Sequence, residues 1–233
     1  MENGQSAALN LSNNQLQVLL TGKFGDGCLS TPITKNSNSN YTTNCIHKEY
    51  LEYKKELLGD LAFNIYNVDK NGFAQKPIFY LTTHKDERIT KLKNLDLESS
   101  INFMDDLGLA LWFYDDGSLH KEKLFYNLNT QAFSKEINGD LFIPFLKKFN
   151  IKAKVLPERK KDGRIFYYLT IGKFNGAYEI STILNKYFVN CFNYKIWSSE
   201  TIQRWSKLQV ELKSTGKDIS NRTKSALLRK ISL

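Results

Sequence analysis

At 233 residues, 41% of them apolar, the chain has enough material to pack a core as one large domain or two halves of about 115 residues. No apolar run approaches the eighteen or so residues that cross a bilayer, and the Asn-rich start, Met1 to Asn14, lacks the charged-then-apolar layout of a secretory leader, so the sequence reads as a folded intracellular protein. The formal charge of +9 is uneven: residues 1–120 hold 11 basic and 15 acidic side chains and residues 121–233 hold 22 and 9, which suits a polyanionic partner and, on charge alone, equally a solubilising surface.

Taken in chain order, the elements fall into two units. The first opens with an apolar run, Leu16 to Leu29, that contains Gly25-Asp26-Gly27. Alternating runs at Ser30 to Lys35 and Asn40 to Ile46 predict two strands, His47 to Leu58 an amphipathic helix, and Ala62 to Val68 and Pro77 to His84 two more strands. The second unit repeats this layout ninety residues on, with the apolar run Asp106 to Leu119 containing Asp115-Asp116-Gly117. Strands follow at Ser118 to Lys123 and Phe125 to Phe133, then a helix at Ser134 to Phe149 led by a Ser cap, strands at Ile151 to Pro157 and Arg164 to Gly172, and a helix at Asn175 to Phe188. Helix, two strands, helix, two strands, helix is thus read twice, over residues 1–100 and 101–196. Residues 197–233 read as a helix carrying Trp197 and Trp205, followed by a basic arm.

Leu107 to Tyr114 is apolar on nearly every side, so a helix there must be buried all round, and the small residues Gly108 and Gly22 would let the two motif helices approach closely. Packed about a pseudo-two-fold axis, they bring Asp26 and Asp116 together at their C-terminal ends. A carboxylate is poorly placed against the negative end of a helix dipole, and two are worse, unless cations lie between them. Divalent metal suits carboxylate and carbonyl oxygens, and the carbonyls of Gly25 and Asp115 come one residue before each acid. A metal pair beside DNA can activate water and stabilise the leaving oxygen of a phosphodiester. Against this stands the ordinary role of Asp-Gly in hairpins and helix caps; two copies, each ending a buried helix and each followed by alternating strands, favour the chemical reading.

These residues resemble the LAGLIDADG homing endonucleases. Leu109-Ala110-Leu111-Trp112-Phe113-Tyr114-Asp115-Asp116-Gly117 is similar to the second motif of the single-chain, two-motif branch, and Leu19 to Gly27 is similar to the first. Tyr50 to Lys54, Leu128 to Glu136 and Phe192 to Ile196 add to the likeness, which spans about residues 15–200. It implies an α/β fold: a pseudo-two-fold duplicated αββαββα chain with central paired helices and two antiparallel saddle sheets that bind DNA. It also implies Asp26 and Asp116 as metal carboxylates with main-chain help from Gly25 and Asp115, and Mg2+ as the cofactor, two or three ions, with Mn2+ or Ca2+ substituting in binding. By the same likeness Gln131 and Asn44 position solvent, Lys48 and Lys135 belong to a basic pocket, and Lys195 with Lys93 supplies a lysine in each half. The sequence departs from the motifs where Phe24 and Tyr114 replace an earlier Asp, and where Thr21 and Lys23 make the first helix more polar.

Period-two alternation sorts the strands for a DNA-reading face. With Leu29 and Leu119 inward, Ser30, Ser118 and His120 turn outward; Asn127, Asn129 and Gln131 carry amides suited to base edges, and Asn40, Thr42 and Asn44 form a similar row. Lys152 and Lys154 alternate with Ala153 and Val155, and Arg164 shares a face with Thr170. The aromatic residues, 13% of the chain, fall mostly at core positions and read as packing. The three histidines are scattered and no Gly-rich loop ends in Gly-Lys-Ser or Gly-Lys-Thr, which excludes histidine-based nuclease motifs and nucleotide triphosphatases. Cys28, Cys45 and Cys191, an odd set with no Cys-x-x-Cys, exclude a disulfide framework or structural zinc and read as reduced and half-buried.

The expected protein is therefore a monomer that grips a long double-stranded DNA site, cuts both strands and spreads its own intron or intein. Its alternatives are an RNA maturase of the same fold acting on its host intron RNA and a non-catalytic DNA-binding protein. Richness in Asn, Lys, Phe and Tyr suggests an A/T-rich genome, organellar or phage, or a bacterial cytoplasm.

Overall fold

The computed structural model describes residues 9–34, 36–68, 77–122, 124–215 and 224. The first half runs α1 Asn13–Phe24, β1 Cys28–Leu29, β2 Tyr41–Cys45, α2 Lys48–Leu58, β3 Ala62–Val68, β4 Ile78–Thr83, α3 Glu87–Asn94 and α4 Leu97–Asn102. The second runs α5 Asp106–Asp116, β5 Gly117–His120, β6 Phe125–Leu128, α6 Lys135–Ile137, α7 Ile143–Lys147, β7 Lys154–Arg159, β8 Ile165–Ile171 and α8 Tyr178–Lys186, followed by α9 Ser199–Thr215. Each half contributes one four-stranded antiparallel sheet, ordered β1-β2-β4-β3 and β5-β6-β8-β7.

The two motif helices form the centre. Ser12 caps α1 in a reciprocal capping box with Gln15, and Asp105 caps α5 by accepting from the N–H groups of Leu107 and Gly108. Every residue from Leu107 to Tyr114 is buried, as an all-round apolar helix requires. The close approaches between α1 and α5 are not made by Gly22, whose missing side chain leaves room instead for Leu29 and Tyr41 of its own half. They are made by Gly108, which accommodates Gln17, and by Gly25, where a Cβ would lie 2.6 Å from Asp115 Oδ2.

The departures from the motif pattern are absorbed by packing. Phe24 enters an aromatic cluster of the opposite half, with ring centroids 5.6 Å from Trp112 and 6.0 Å from Phe142. Tyr114 makes the reciprocal move, 6.0 Å from Tyr50 of the first half and stacked at 5.1 Å on Phe192. Buried Thr21 donates to Val18 O at 2.7 Å and shares a 2.8 Å hydrogen bond with Tyr41 Oη, while Lys23 reaches Leu95 O.

Several elements are shorter than the sequence pattern suggests. The strand expected over Ser30 to Lys35 does not form: Ser30 makes one more ladder bond, to Asn40 O at 2.9 Å, and Pro32 then has no N–H to offer. Lys35 lies outside the described residues. β6 stops at Leu128 because the chain folds back through Thr130, whose hydroxyl bonds the buried Asn138 side chain, to the Ser134 cap. The helix expected over Ser134 to Phe149 carries a π-wound turn, Asn138–Phe142, between α6 and α7. The sequence reading named no helix between His84 and Asp106, yet the Asp86 and Asp96 side chains cap α3 and α4 there. Trp205 on α9 is buried against Phe174, Tyr178 and Trp197, which fixes that helix to the second half. Of the basic arm only Lys224 lies within the described residues. The three cysteines are unbridged; Cys28 is exposed rather than half-buried.

Candidate nucleic-acid interface and metal site

The C-terminal ends of α1 and α5 gather three carboxylates and two lysines. Asp116 is the last residue of α5, and Asp26 lies just beyond the end of α1. Burial pushes the Asp116 carboxyl up to about 7, helped by the charges of Asp26 and Asp115 and opposed by Lys195 and Lys54. Burial also raises Asp26, with Asp115 adding to it and Lys54 and Lys195 working against it. Among the described residues, neither the Asp26 nor the Asp116 side chain receives a hydrogen bond or an ion pair. Two acids without a hydrogen-bond or ion-pair partner, with Asp26 and Asp115 opposing the ionisation of Asp116, suit a hard cation.

Asp115 behaves differently. Its side chain is 2% exposed and paired with the fully buried Lys54 of α2, whose Nζ lies 2.9 and 3.0 Å from the two carboxylate oxygens. Tyr50 Oη donates to the same carboxylate at 2.7 Å. Burial works against the Lys54 ammonium, but Asp115 and Tyr41 more than offset it and raise its pKa above the usual lysine value. Lys195 donates to Tyr114 O at 2.6 Å, so it satisfies a carbonyl at the end of α5. Burial holds its ammonium below the usual value in spite of the three acids.

The other sequence candidates are spread more widely. Lys93 bonds Thr31 Oγ1 at 2.6 Å, and Lys48 pairs with Glu52 at 2.8 Å on the surface of α2, so neither is turned to the carboxylates. Lys135 and Asn44 are exposed. Gln131 donates to Glu158. The cations acting on the acids are Lys54 and Lys195, and the sequence reading missed Lys54. Its signal was there: Tyr50, Leu51, Lys54 and Leu58 share the buried stripe of α2, a place where a lysine needs a partner.

The outward sheet faces flank this centre. In the second half Ser118, Asn127, Thr170 and Lys154 lie in register across all four strands, and His120 pairs with Phe125. Asp116, Ser118, Asn127, Asn129, Gln131 and Glu158 line a hollow of about 440 Å³ with Tyr168. Asn127 Oδ1 has no hydrogen-bond partner there. In the first half Thr42 and Thr82 stand opposite each other, and Asn40 is held between Ser30 and these two hydroxyls. Arg164 pairs with Asp162 at 2.7 Å. Lys152 precedes β7 and lines a separate hollow with Lys173 and Trp205, so it is not part of the strand row. Most aromatic side chains pack in the core, as the sequence suggests, but Tyr66 is exposed and stacks on Tyr80 at 5.5 Å, and strand alternation puts Phe166 and Tyr168 on the face opposite the buried Leu169.

Comparison with known proteins matches this architecture. A model of the LAGLIDADG DNA endonuclease family covers residues 18–178. A probable intron-encoded DNA endonuclease 3 from Mycosarcoma maydis is 29% identical over 119 residues, which is 51% of this chain and 80% of that protein. The homing endonuclease I-WcaI bound to its DNA recognition sequence superposes with a TM-score of 0.65 at 20% identity, covering 81% of this chain and 88% of that one, a likeness in fold. I-DmoI in complex with DNA and Mn gives a TM-score of 0.49 at 13% identity, over 74% of this chain and 98% of that one. With two motif helices, two saddle sheets and a family match over most of its length, the chain belongs to the LAGLIDADG DNA endonuclease family.

Proposed function

We propose that the protein is a site-specific endonuclease that cuts both strands of a long DNA target, with divalent metal held between Asp26 and Asp116. The observation that carries this reading is the meeting of two unpaired carboxylates at the ends of the buried helix pair, between two outward faces rich in amides and hydroxyls. Of the three acids Asp115 is taken up by Lys54 and Tyr50, which leaves two carboxylates for an ion, and DNA and water would complete its ligands. Main-chain oxygens of Gly25 and Asp115 fit that role. When bound, the metal supplies water activation and charge stabilisation at the phosphodiester. The chain's own groups do the rest: Lys195 and Lys54 offset the acids, Gln131 and Asn44 orient solvent, and the strand rows fix the duplex. The basic-pocket role that the resemblance gives Lys48 and Lys135 would require their exposed side chains to turn toward bound DNA.

Mg2+ is the proposed ion, with Mn2+ or Ca2+ as substitutes in binding, and the proposed working form is a monomer whose halves, residues 1–100 and 101–196, each grip half of the site. The intron-encoded relative supports a role in spreading the intron or intein that encodes the chain, in an organelle or another mobile-element host. Cleavable sites selected from a randomised DNA pool, cut by the wild type with Mg2+ and left intact by the Asp26→Asn, Asp116→Asn double variant, are the expected result. Splicing of host intron RNA with no metal-dependent cutting would instead select the maturase reading.

A further inference from the structure

The Asp115-Asp116 pair presents the metal cleft with two adjacent acids where the first half, with Gly25-Asp26, presents one. Only one acid of the pair is free. Asp115 accepts three hydrogen bonds from α2 of the other half, two from Lys54 and one from Tyr50, and its Oδ2 rests where only a glycine at position 25 leaves room. Lys54 is anchored in turn toward Tyr41 Oη at 3.5 Å, and Tyr41 is tied to Thr21 of α1. Desolvating a lysine and a carboxylate costs several kcal/mol per ion, which only such close pairing offsets; an apolar residue at position 54 would pack at no such cost. The pair is therefore poorly explained as filler.

We propose that Lys54 is a positioning residue that sorts the two acids: it draws the Asp115 side chain out of the cleft into α2, so that Asp116 alone offers its carboxylate to the metal while Asp115 offers only its carbonyl. This rests on the metal reading above. Removing the ammonium frees a third acid to compete for the ion beside Asp116 and loosens the placement of Gly25 against α5.

The test is Mg2+ titration of the DNA-free chain carrying 13C-labelled Asp carboxyls, with Asp115 assigned from an Asp115→Asn variant. In the wild type the Asp26 and Asp116 resonances move and that of Asp115 does not; in Lys54→Met the Asp115 resonance moves with them. If Lys54→Met does not fold, Tyr50→Phe, which removes one of the three hydrogen bonds, gives a weaker response of the same kind. A silent Asp115 in the folded variant, or an Asp115 that responds in the wild type at the same Mg2+ concentration as Asp116, overturns the proposal. Cleavage adds a second reading: Lys54→Met lowers kcat about tenfold with KM for DNA nearly unchanged, and Lys54→Met, Asp115→Asn regains most of it. Equal kcat losses in the single and double variants count against sorting. A wild type whose Asp26 and Asp116 resonances ignore Mg2+ refutes the metal reading itself, a different outcome from either.

Discussion

Without metal, the acid pair should make the fold less stable as the pH rises, and the size of the effect follows from Asp116. Its carboxyl stands at about 7 in the fold against 3.8 in an unfolded chain. Three or so pKa units correspond to about 4 kcal/mol, which exposure of part of the group to solvent reduces to roughly 2 kcal/mol. The sign follows from proton counting. Between 3.8 and about 7 the native state holds a proton that the unfolded chain has lost, so the stabilisation is whole below the unfolded value and gone once the pH has passed the folded one. The paired acids Asp60, Asp86 and Asp106 have lowered values, so their contributions are lost only below 3.8, outside this window. Urea unfolding in chelator should therefore give a wild type about 1 kcal/mol more stable near pH 5 than near pH 8. Asp116→Asn should flatten most of that slope and exceed the wild type at the higher pH, where added Mg2+ stabilises the wild type. If Asp116→Asn keeps the full wild-type slope, the acids are not coupled as described.

Three further outcomes follow from packing and charge. Gly25→Ala puts a methyl 2.6 Å from a carboxylate that Lys54 holds in place, and should cost about 1–3 kcal/mol by thermal unfolding while slowing cleavage. Trp205→Ala removes the buried side chain that fixes α9 to Phe174 and Tyr178, and should cost about 3–5 kcal/mol; a change under about 1 kcal/mol would mean α9 does not depend on it. Lys154→Ala should reduce the slope of log affinity against log salt by about one, with little change in target sequence, as expected of a phosphate contact.

The repeat, the buried helices and the paired acids were legible because each depends on local pattern: a run apolar on every side, an Asp-Gly end, alternation in the strands that follow. Asn127, Ser118, Thr170 and Lys154 were named singly from alternation, yet their alignment in one row depends on register, which the sequence does not print. Lys93 stands at the expected place in the chain, but its side chain bonds Thr31. Lys54 is not legible because a lysine on an amphipathic helix is normally solvated; its partner Asp115 comes from the other half, and no local pattern joins them. The stack of Tyr66 on Tyr80 is hidden in the sequence for the same reason, since the two rings meet across strands.

The pseudo-symmetry is broken where the chemistry is. Counted from Lys48 and Lys135, which the resemblance pairs, Lys54 falls opposite Leu141, and Gly25 falls opposite Asp115. One side of the axis thus joins Lys54 to Asp115, a charged side chain to a charged side chain, while the equivalent positions of the other side carry an apolar side chain and a residue with none. The two phosphodiesters of a bound site would then face unequal fields, because the Asp115–Lys54 ion pair has no counterpart at the equivalent positions Gly25 and Leu141. A difference of about 1 kcal/mol between the two transition states is enough to separate the strand-cleavage rates by roughly fivefold. Supercoiled plasmid carrying one target should pass through a nicked circle, with most nicks in the same strand, before it becomes linear. Direct conversion to linear product, or nicks shared evenly between strands, would show that the asymmetry at the helix ends does not reach the DNA.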